Sequence, residues 1–350
     1  MFTDISIERL IDEKKNMTLI DVRSPSEYKD FTIPGSLNIP IFSDAERAEV
    51  GTIYKQVGPE AAEERGLEIF SAKLPDFIKA FKQIEGDKTV FCWRGGMRSR
   101  TAATVLDLMK IPVHRLDGGI RSYRNWVVDQ LDALDFIPKA YILNGNTGTG
   151  KTIILRKLEQ EGYPVLDFER MANHRGSIFG QIGLEPHNQK TFDALLVEKL
   201  HVTQDFPYVF FEGESKRIGR VLLPEPFYNV KENGTQIFIE MPMEERVKNI
   251  LDDYRPWEFK EECMEAFRRI KSRIHTPIAT EIQNALQNEE FSLAVRLLLE
   301  YYYDPRYQYS TAQYFKGNKI TISVQNVEEA IEEIKKLVVH KKKINKLICN

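Results

Sequence analysis

Over the first third of the chain, short apolar runs alternate with stretches of helical periodicity. MTLIDVR (17–23) predicts a strand ending near Asp21, and DKTVFC (87–92) a second that delivers Cys92 at its C-terminal end. IPVHRLDGG (111–119) predicts a third, closed by a double glycine, and RSRTAATVLDLMK (98–110) sets Ala102, Val105, Leu106 and Met109 on one helical face. This βαβ rhythm predicts a parallel sheet, whose ligands sit beyond the carboxyl ends of its strands. Residues 43–77 read as a helical insertion. The pattern restarts near 130–139. Strands are predicted at KAYILNG (139–145), YPVLDFE (163–169), PYVFFEGES (207–215) and TQIFIEMP (235–242), with helices at TIILRKLEQEG (152–162) and MEERVKNILDDY (243–254). Residues 258–303 read as helices, followed by a strand at KITISV (319–324) and a helix over 326–347. The expected fold is α/β in two domains, 1–133 and 134–350, the second with a helical C-terminal part.

Composition changes this picture little. The chain has 350 residues, 42% of them hydrophobic and 29% charged, with a net charge of -3. That mix belongs to globular chains, and a polyanionic partner would have to meet a local basic patch. The N-terminus lacks the basic stretch and apolar core of a signal peptide. No apolar run approaches the roughly 20 residues of a membrane helix. Cys92, Cys263 and Cys349 are widely spaced, which argues against a disulfide scaffold or a cysteine-ligated zinc. A cytoplasmic location is expected.

Candidate chemistry concentrates in two loops. In FCWRGGMRSR (91–100), Gly95 and Gly96 let the backbone curl its N–H groups toward Cys92, and a helix start and the cations Arg94 and Arg98 favour a thiolate. The competing reading is a buried structural cysteine, in which those glycines and arginines have no purpose. GNTGTGKT (145–152) fits the phosphate-loop pattern with a strand before it and a helix after. Gly145, Gly148, Thr149, Gly150, Lys151 and Thr152 would wrap a diphosphate, with the Thr152 hydroxyl facing Mg²⁺. Glu212 or Glu214 would supply the acid at a neighbouring strand end, and DFERMANHRGSIFG (167–180) adds Asp167, Glu169, His174 and Arg175 near the same mouth. No structural metal is expected.

IDVRSPSEYKDFTIPGSLNIP (20–40) and LDGGIRSYRNW (116–126), with Cys92 between them, resemble rhodanese-fold domains. Asp21, Arg23 and Glu27 belong to that signature and are expected to form an ion-pair network bracing the strand end. The spacing from Cys92 to Arg98 is one residue wider than in sulfurtransferases of this fold and matches its phosphatase version. A rhodanese-like domain followed by a phosphate-loop (P-loop NTPase-like) domain carrying ANHRGS, ESKRIG and LLLEYYYDPRY resembles the bacterial tRNA 2-selenouridine synthase family over nearly the whole chain.

That resemblance implies a transferase acting on the wobble uridine of tRNA. A 2-thiouridine is S-geranylated from geranyl diphosphate, and the geranylthio group is then replaced by selenium from selenophosphate, with Cys92 as the selanyl carrier. No tightly bound cofactor is implied beyond these substrates and Mg²⁺.

For RNA, KKLVVHKKKINK (335–346) offers six lysines, preceded by Glu328, Glu329, Glu332 and Glu333. Trp93 and Tyr301–Tyr303 are aromatics suited to stacking, with the core as the commoner role for at least two of the tyrosines. An ATP-dependent tRNA sulfurtransferase working through a cysteine persulfide is the nearest alternative. A phosphatase-like domain fused to a kinase and a non-enzymatic tRNA-binding module are the others.

Overall fold

The segments MTLID (17–21) and DKTVF (87–91) become neighbouring parallel strands, with Leu19, Ile20, Val90 and Phe91 buried. The computed structural model describes residues 2–134, 138–213, 215–306 and 319–348, with side chains of the final helix to residue 338. Glu214 and Cys349, and the side chains of Lys341, Lys342, Lys343 and Lys346, lie outside that set. Two compact units emerge, Met1–Ala133 with Asp193–Val197, and the remainder from Leu134.

The first unit is a five-stranded parallel sheet. Its strands are β1 (Thr3–Ile5), β2 (Met17–Asp21), β3 (Leu37–Asn38), β4 (Asp87–Phe91) and β5 (His114–Leu116), in spatial order β1-β5-β4-β2-β3. The Cys92 strand β4 is thus central, with Asp21 in register with Phe91. The edge strand β1 escaped the sequence pattern because three residues are too few to show a period. For the same reason the strand expected over 111–119 shrinks to three residues.

Helices α1 (Ile7–Glu13), α2 (Pro25–Asp30), α3 (Asp44–Gln56), α4 (Pro59–Lys82), α5 (Met97–Leu108) and α6 (Gly119–Asp132) complete the unit. The insertion is the α3–α4 hairpin. Phe70, Phe77, Ile78 and Phe81 recur at helical spacing along α4 and are buried with Ile20, Val90 and Ala102.

The second unit is also a parallel sheet, in the order β12-β11-β6-β8-β7. Its strands are β6 (Lys139–Gly145), β7 (Val165–Leu166), β8 (Tyr208–Glu212), β11 (Thr235–Glu240) and β12 (Lys319–Ser323), and a two-stranded ribbon, β9 (Arg217–Ile218) with β10 (Val221–Leu222), stands apart. The strand predicted over 163–169 stops at Leu166. Asp167 accepts the Arg170 backbone N–H at 2.8 Å and caps the start of a short helix there, α8 (Phe168–Ala172).

The other helices are α7 (Lys151–Gln160), α9 (Gln189–Thr203), α10 (Glu225–Asn233), α11 (Met243–Tyr254), α12 (Lys260–Arg268), α13 (Thr276–Gln287), α14 (Phe291–Leu298) and α15 (Val327–Ile348). Helices α12–α14 enclose an apolar cluster of their own that includes Phe267, Ile282 and Leu297. Among the described residues, no helix is long and apolar enough to cross a membrane.

Candidate functional site

Strand β4 ends at Phe91 and hands Cys92 to a loop that reaches α5 through Gly96. The loop owes its shape to a backbone contact with the turn before α6. The N–H of Ile120 donates to the Cys92 carbonyl at 2.8 Å, and that of Arg121 to the Trp93 carbonyl at 3.1 Å. Gly119, at φ +62°, sits so close that a Cβ there would lie 2.3 Å from the Cys92 carbonyl oxygen and 2.5 Å from the Gly95 nitrogen. Gly95 itself has φ +65°. Both positions therefore require glycine. Arg115, on β5, donates to the Gly95 carbonyl at 2.8 Å, and its other arm binds Asp4.

Cys92 is 3% exposed, and its sulfur lies 3.2 Å from the Ser99 hydroxyl. The residue is part of the lining of a cavity of about 1140 Å³ walled by α3, α4 and the loop, together with Trp93, Arg94, Gly96 and Arg98. Cys92 is thus almost wholly covered while bordering a space that a solute can fill.

Arg98 does not direct its charge at the sulfur. Its guanidinium forms a two-point pair with Glu27, at 2.5 and 3.2 Å, and Arg47 adds a third contact to the same carboxylate at 3.6 Å. Glu27 consequently lies outside the Asp21–Arg23 network to which the sequence reading assigned it. Arg23 pairs with Asp21 at 2.6 Å and donates to the Phe31 carbonyl, all of it buried. Glu27 is burdened by burial, but Arg98 and Arg47 hold its carboxyl below the usual range. Arg115, the cation that fastens the loop at Gly95, has its own pKa raised, first by its hydrogen bond to Asp4. Neither Arg115 nor Ser99 carries a sequence signal, because the fold alone brings them to the loop.

In the second unit β6 is the middle strand, and the loop after it, residues 145–150, turns into α7. Gly145, Gly148 and Gly150 have φ of +147°, +87° and +72°. Lys151 reaches back to the Gly145 carbonyl at 3.0 Å. The Thr149 hydroxyl is spent inside the loop on the Asn146 carbonyl at 3.0 Å, so that residue contributes shape. Helix α11 grips the loop from outside. Arg246 donates to the Thr147 carbonyl at 2.9 Å, Asn249 to the Gly148 carbonyl at 2.9 Å, and Arg246 also forks onto Asp304.

Parallel register places Leu143 of β6 beside Glu212 of β8, which brings an acid to the loop. The Thr152 hydroxyl donates to Glu169 at 2.8 Å and lies 3.4 Å from Glu212, and both carboxylates are buried. A hydroxyl with two carboxylates is an all-oxygen set that suits Mg²⁺ completed by substrate phosphates and water. Asp167 is also buried, with one carboxylate oxygen lacking a hydrogen bond, and burial raises its pKa.

His174 and Arg175 serve the fold of their segment. The His174 ring accepts the Gly176 N–H at 3.1 Å through Nδ1 and lies against Gly180 and Gly219. Burial lowers its pKa. Arg175 pairs with the Asp253 carboxylate at 2.9 Å, donates to the Ile182 and Asp253 carbonyls, and stacks over Tyr254 at 4.6 Å. A guanidinium so occupied braces α11, in place of the substrate contact expected from sequence.

Of the basic tail, Lys335 pairs with Glu161 and Glu332, and Lys336 with Glu333. Tyr302 is buried under Arg306, whereas Tyr301 and Trp93 are exposed.

A thiol held in a strand-to-helix loop of a parallel sheet, in one chain with a second parallel sheet bearing a phosphate-loop motif, defines a two-domain α/β protein built on rhodanese-like and P-loop NTPase-like units. Comparison with known proteins agrees: the rhodanese-like domain family matches residues 6–125, and the tRNA 2-selenouridine synthase AAA domain matches residues 138–338. The chain belongs to the tRNA 2-selenouridine synthase family. The relative from Sulfurovum sp. is 31% identical over 91% of this chain and 95% of its own length. That from Bdellovibrio bacteriovorus is 34% identical over 69% of this chain and 65% of its own. A crystal structure of an N-terminal domain from Clostridium difficile 630 is 34% identical over 36% of this chain and 99% of that one, at a TM-score of 0.34.

Two predictions follow from this geometry. Gly119→Ala should destabilise the first unit by about 2 kcal/mol or more, read by urea denaturation, because it adds left-handed strain to a backbone clash. An unchanged midpoint would mean that the turn does not pin the Cys92 loop. The depressed pKa of His174 gives stability that is present above its ordinary value of 6.5 and lost as pH falls below it. A His174→Gln chain should therefore be less stable at pH 7.5 but lose less between pH 7 and 5 than the parent; equal losses would remove His174 as the titrating group.

Proposed function

We propose that the chain converts the wobble 2-thiouridine of tRNA to 2-selenouridine in two stages. The first is S-geranylation with geranyl diphosphate, and the second is displacement of the geranylthio group by selenium from selenophosphate. The observation that carries this reading is the pairing, in one chain, of a cavity-lining Cys92 with a glycine loop of phosphate-loop sequence flanked by Thr152, Glu169 and Glu212. The names of the relatives, tRNA 2-selenouridine synthases, support the overall conversion.

In the first stage the thiocarbonyl sulfur attacks the allylic carbon and diphosphate departs. The backbone N–H groups of residues 148–152 and the Lys151 ammonium would receive the growing negative charge. Mg²⁺ held by Thr152 with Glu169 and Glu212 would add charge neutralisation at the same oxygens. No nucleotide hydrolysis is needed. In the second stage Cys92, itself almost wholly buried, would handle selenium, with the Ser99 hydroxyl beside its sulfur. Geranylation makes the sulfur a better leaving group as a thiolate. Persulfide-based 2-thiolation driven by ATP is less well supported, because the phosphate loop does not resemble an adenylation loop.

The reading is tested by incubating thiolated tRNA with geranyl diphosphate and selenophosphate, omitting each in turn, and analysing nucleosides by mass spectrometry. Without selenophosphate the geranylated nucleoside should accumulate. Cys92→Ser should lower selenium incorporation at least about 100-fold with geranylation retained, and Lys151→Ala should cut geranylation at subsaturating diphosphate about tenfold or more, on the scale of losing one charged contact at the reacting centre. Equal loss of both products in Cys92→Ser would contradict the division of labour.

A further inference from the structure

The helical insertion of the first unit has no part in the two stages as described, yet it builds most of the cavity that Cys92 borders. Ile41, Phe42, Val50, Leu67 and Phe70 line that cavity, and apolar atoms form the larger share of its wall. Small residues give it width. Gly51 of α3 and Gly66 of α4 both line it from helix interiors, where glycine weakens the helix. At Gly66 the Phe42 ring edge already stands 3.2 Å from where a Cβ would be. Tyr54, Leu67 and Met97 line the same space while 61%, 66% and 57% exposed. Large apolar side chains gathered around one concave space mark a binding surface.

We infer that this cavity is the receptor for the hydrocarbon tail of the S-alkylated nucleoside, holding a branched chain of about ten carbons so that its C–S bond lies at Cys92. The inference rests on the two-stage reading above, which requires a geranylthio group to be presented to the thiol. The cavity volume of about 1140 Å³ lies just above the range of about 300–1,000 Å³ usual for small-molecule sites, which leaves room for the base as well as the tail. The wall is mixed in character. Apolar side chains of α3 and α4 share it with charged ones, Lys55 and Glu63 among them, and the Cys92 loop adds Arg94, a cation for an anionic selenium donor. The selenium of selenophosphate attacks C2, the alkylthiolate leaves with the electron pair of the C–S bond and takes a proton from water, and a second water then takes the phosphoryl group from selenium as phosphate. The tail of the leaving thiolate is then already in an apolar channel, and recapture of the anionic sulfur competes poorly with release as the neutral thiol.

The test is calorimetric binding of two free nucleosides, S-geranyl-2-thiouridine and S-methyl-2-thiouridine, to the full chain. The geranyl compound should bind at least about tenfold tighter, which needs burial of only about two of its extra carbons. Tyr54→Glu and Leu67→Glu, at exposed helical positions that spare the core, should each erase most of that preference. A chain with no preference, or one whose preference survives both substitutions, overturns the assignment, since the tail would then bind elsewhere. Selenium incorporation into geranylated tRNA is measured beside it. Full turnover by a parent chain without the preference condemns the cavity alone, whereas absent turnover with the preference intact condemns the two-stage reading and leaves the tail site standing.

Discussion

The first unit depends on one backbone contact. The turn at Gly118–Gly119 presses against the Cys92–Gly95 loop so closely that nothing larger than hydrogen fits at Gly119, and two N–H groups of α6 are donated to the loop carbonyls. The contact orients the loop, sets the thiol against Ser99 of α5, and keeps Cys92 on the border of the cavity. Arg115 fastens the loop from β5. A reactive sulfur needs a fixed position, and here backbone contacts hold its loop, at lower entropic cost than long side chains.

The second unit repeats the device with a different lock. Three left-handed or otherwise glycine-only positions shape the loop after β6, and α11 closes it through Arg246 and Asn249, one helical turn apart. Arg246 in turn binds Asp304, so the loop, α11 and the segment after α14 form one hydrogen-bonded series. The acids follow from sheet topology. Glu212 arrives because β8 lies beside β6 in parallel register, and Glu169 because the chain turns helical at Asp167.

Much of this was legible from local pattern. The apolar run at 139–145 and the amphipathic repeat at 243–254 match β6 and α11 in extent, since each is long enough to display its period. The phosphate-loop motif shows itself because its chemistry is local backbone. Partner choice across the fold was hidden. Arg98 looked like a ligand of the thiol, but Glu27, 71 positions away in sequence, is nearer and of opposite charge. His174 and Arg175 looked like substrate contacts because an exposed mouth was expected, yet burial against glycines and pairing with Asp253 occupy them. The cavity had no sequence signal either, as it arises from the angle between two helices that periodicity describes only singly.

The central claim is that Cys92, of the two cysteines among the described residues, is the one on which the proposed selenium transfer depends. Cys263 gives the contrast: it is buried in the helical cluster, and desolvation pushes its thiol up to about 11, away from thiolate chemistry at neutral pH. The most direct measurement is peptide mass spectrometry of the chain along an iodoacetamide titration, read beside the selenouridine that each sample forms from geranylated tRNA and selenophosphate. The account predicts that selenouridine is lost in proportion to alkylation of the peptide containing Cys92. Undiminished selenouridine from a chain whose Cys92 is fully alkylated would contradict it.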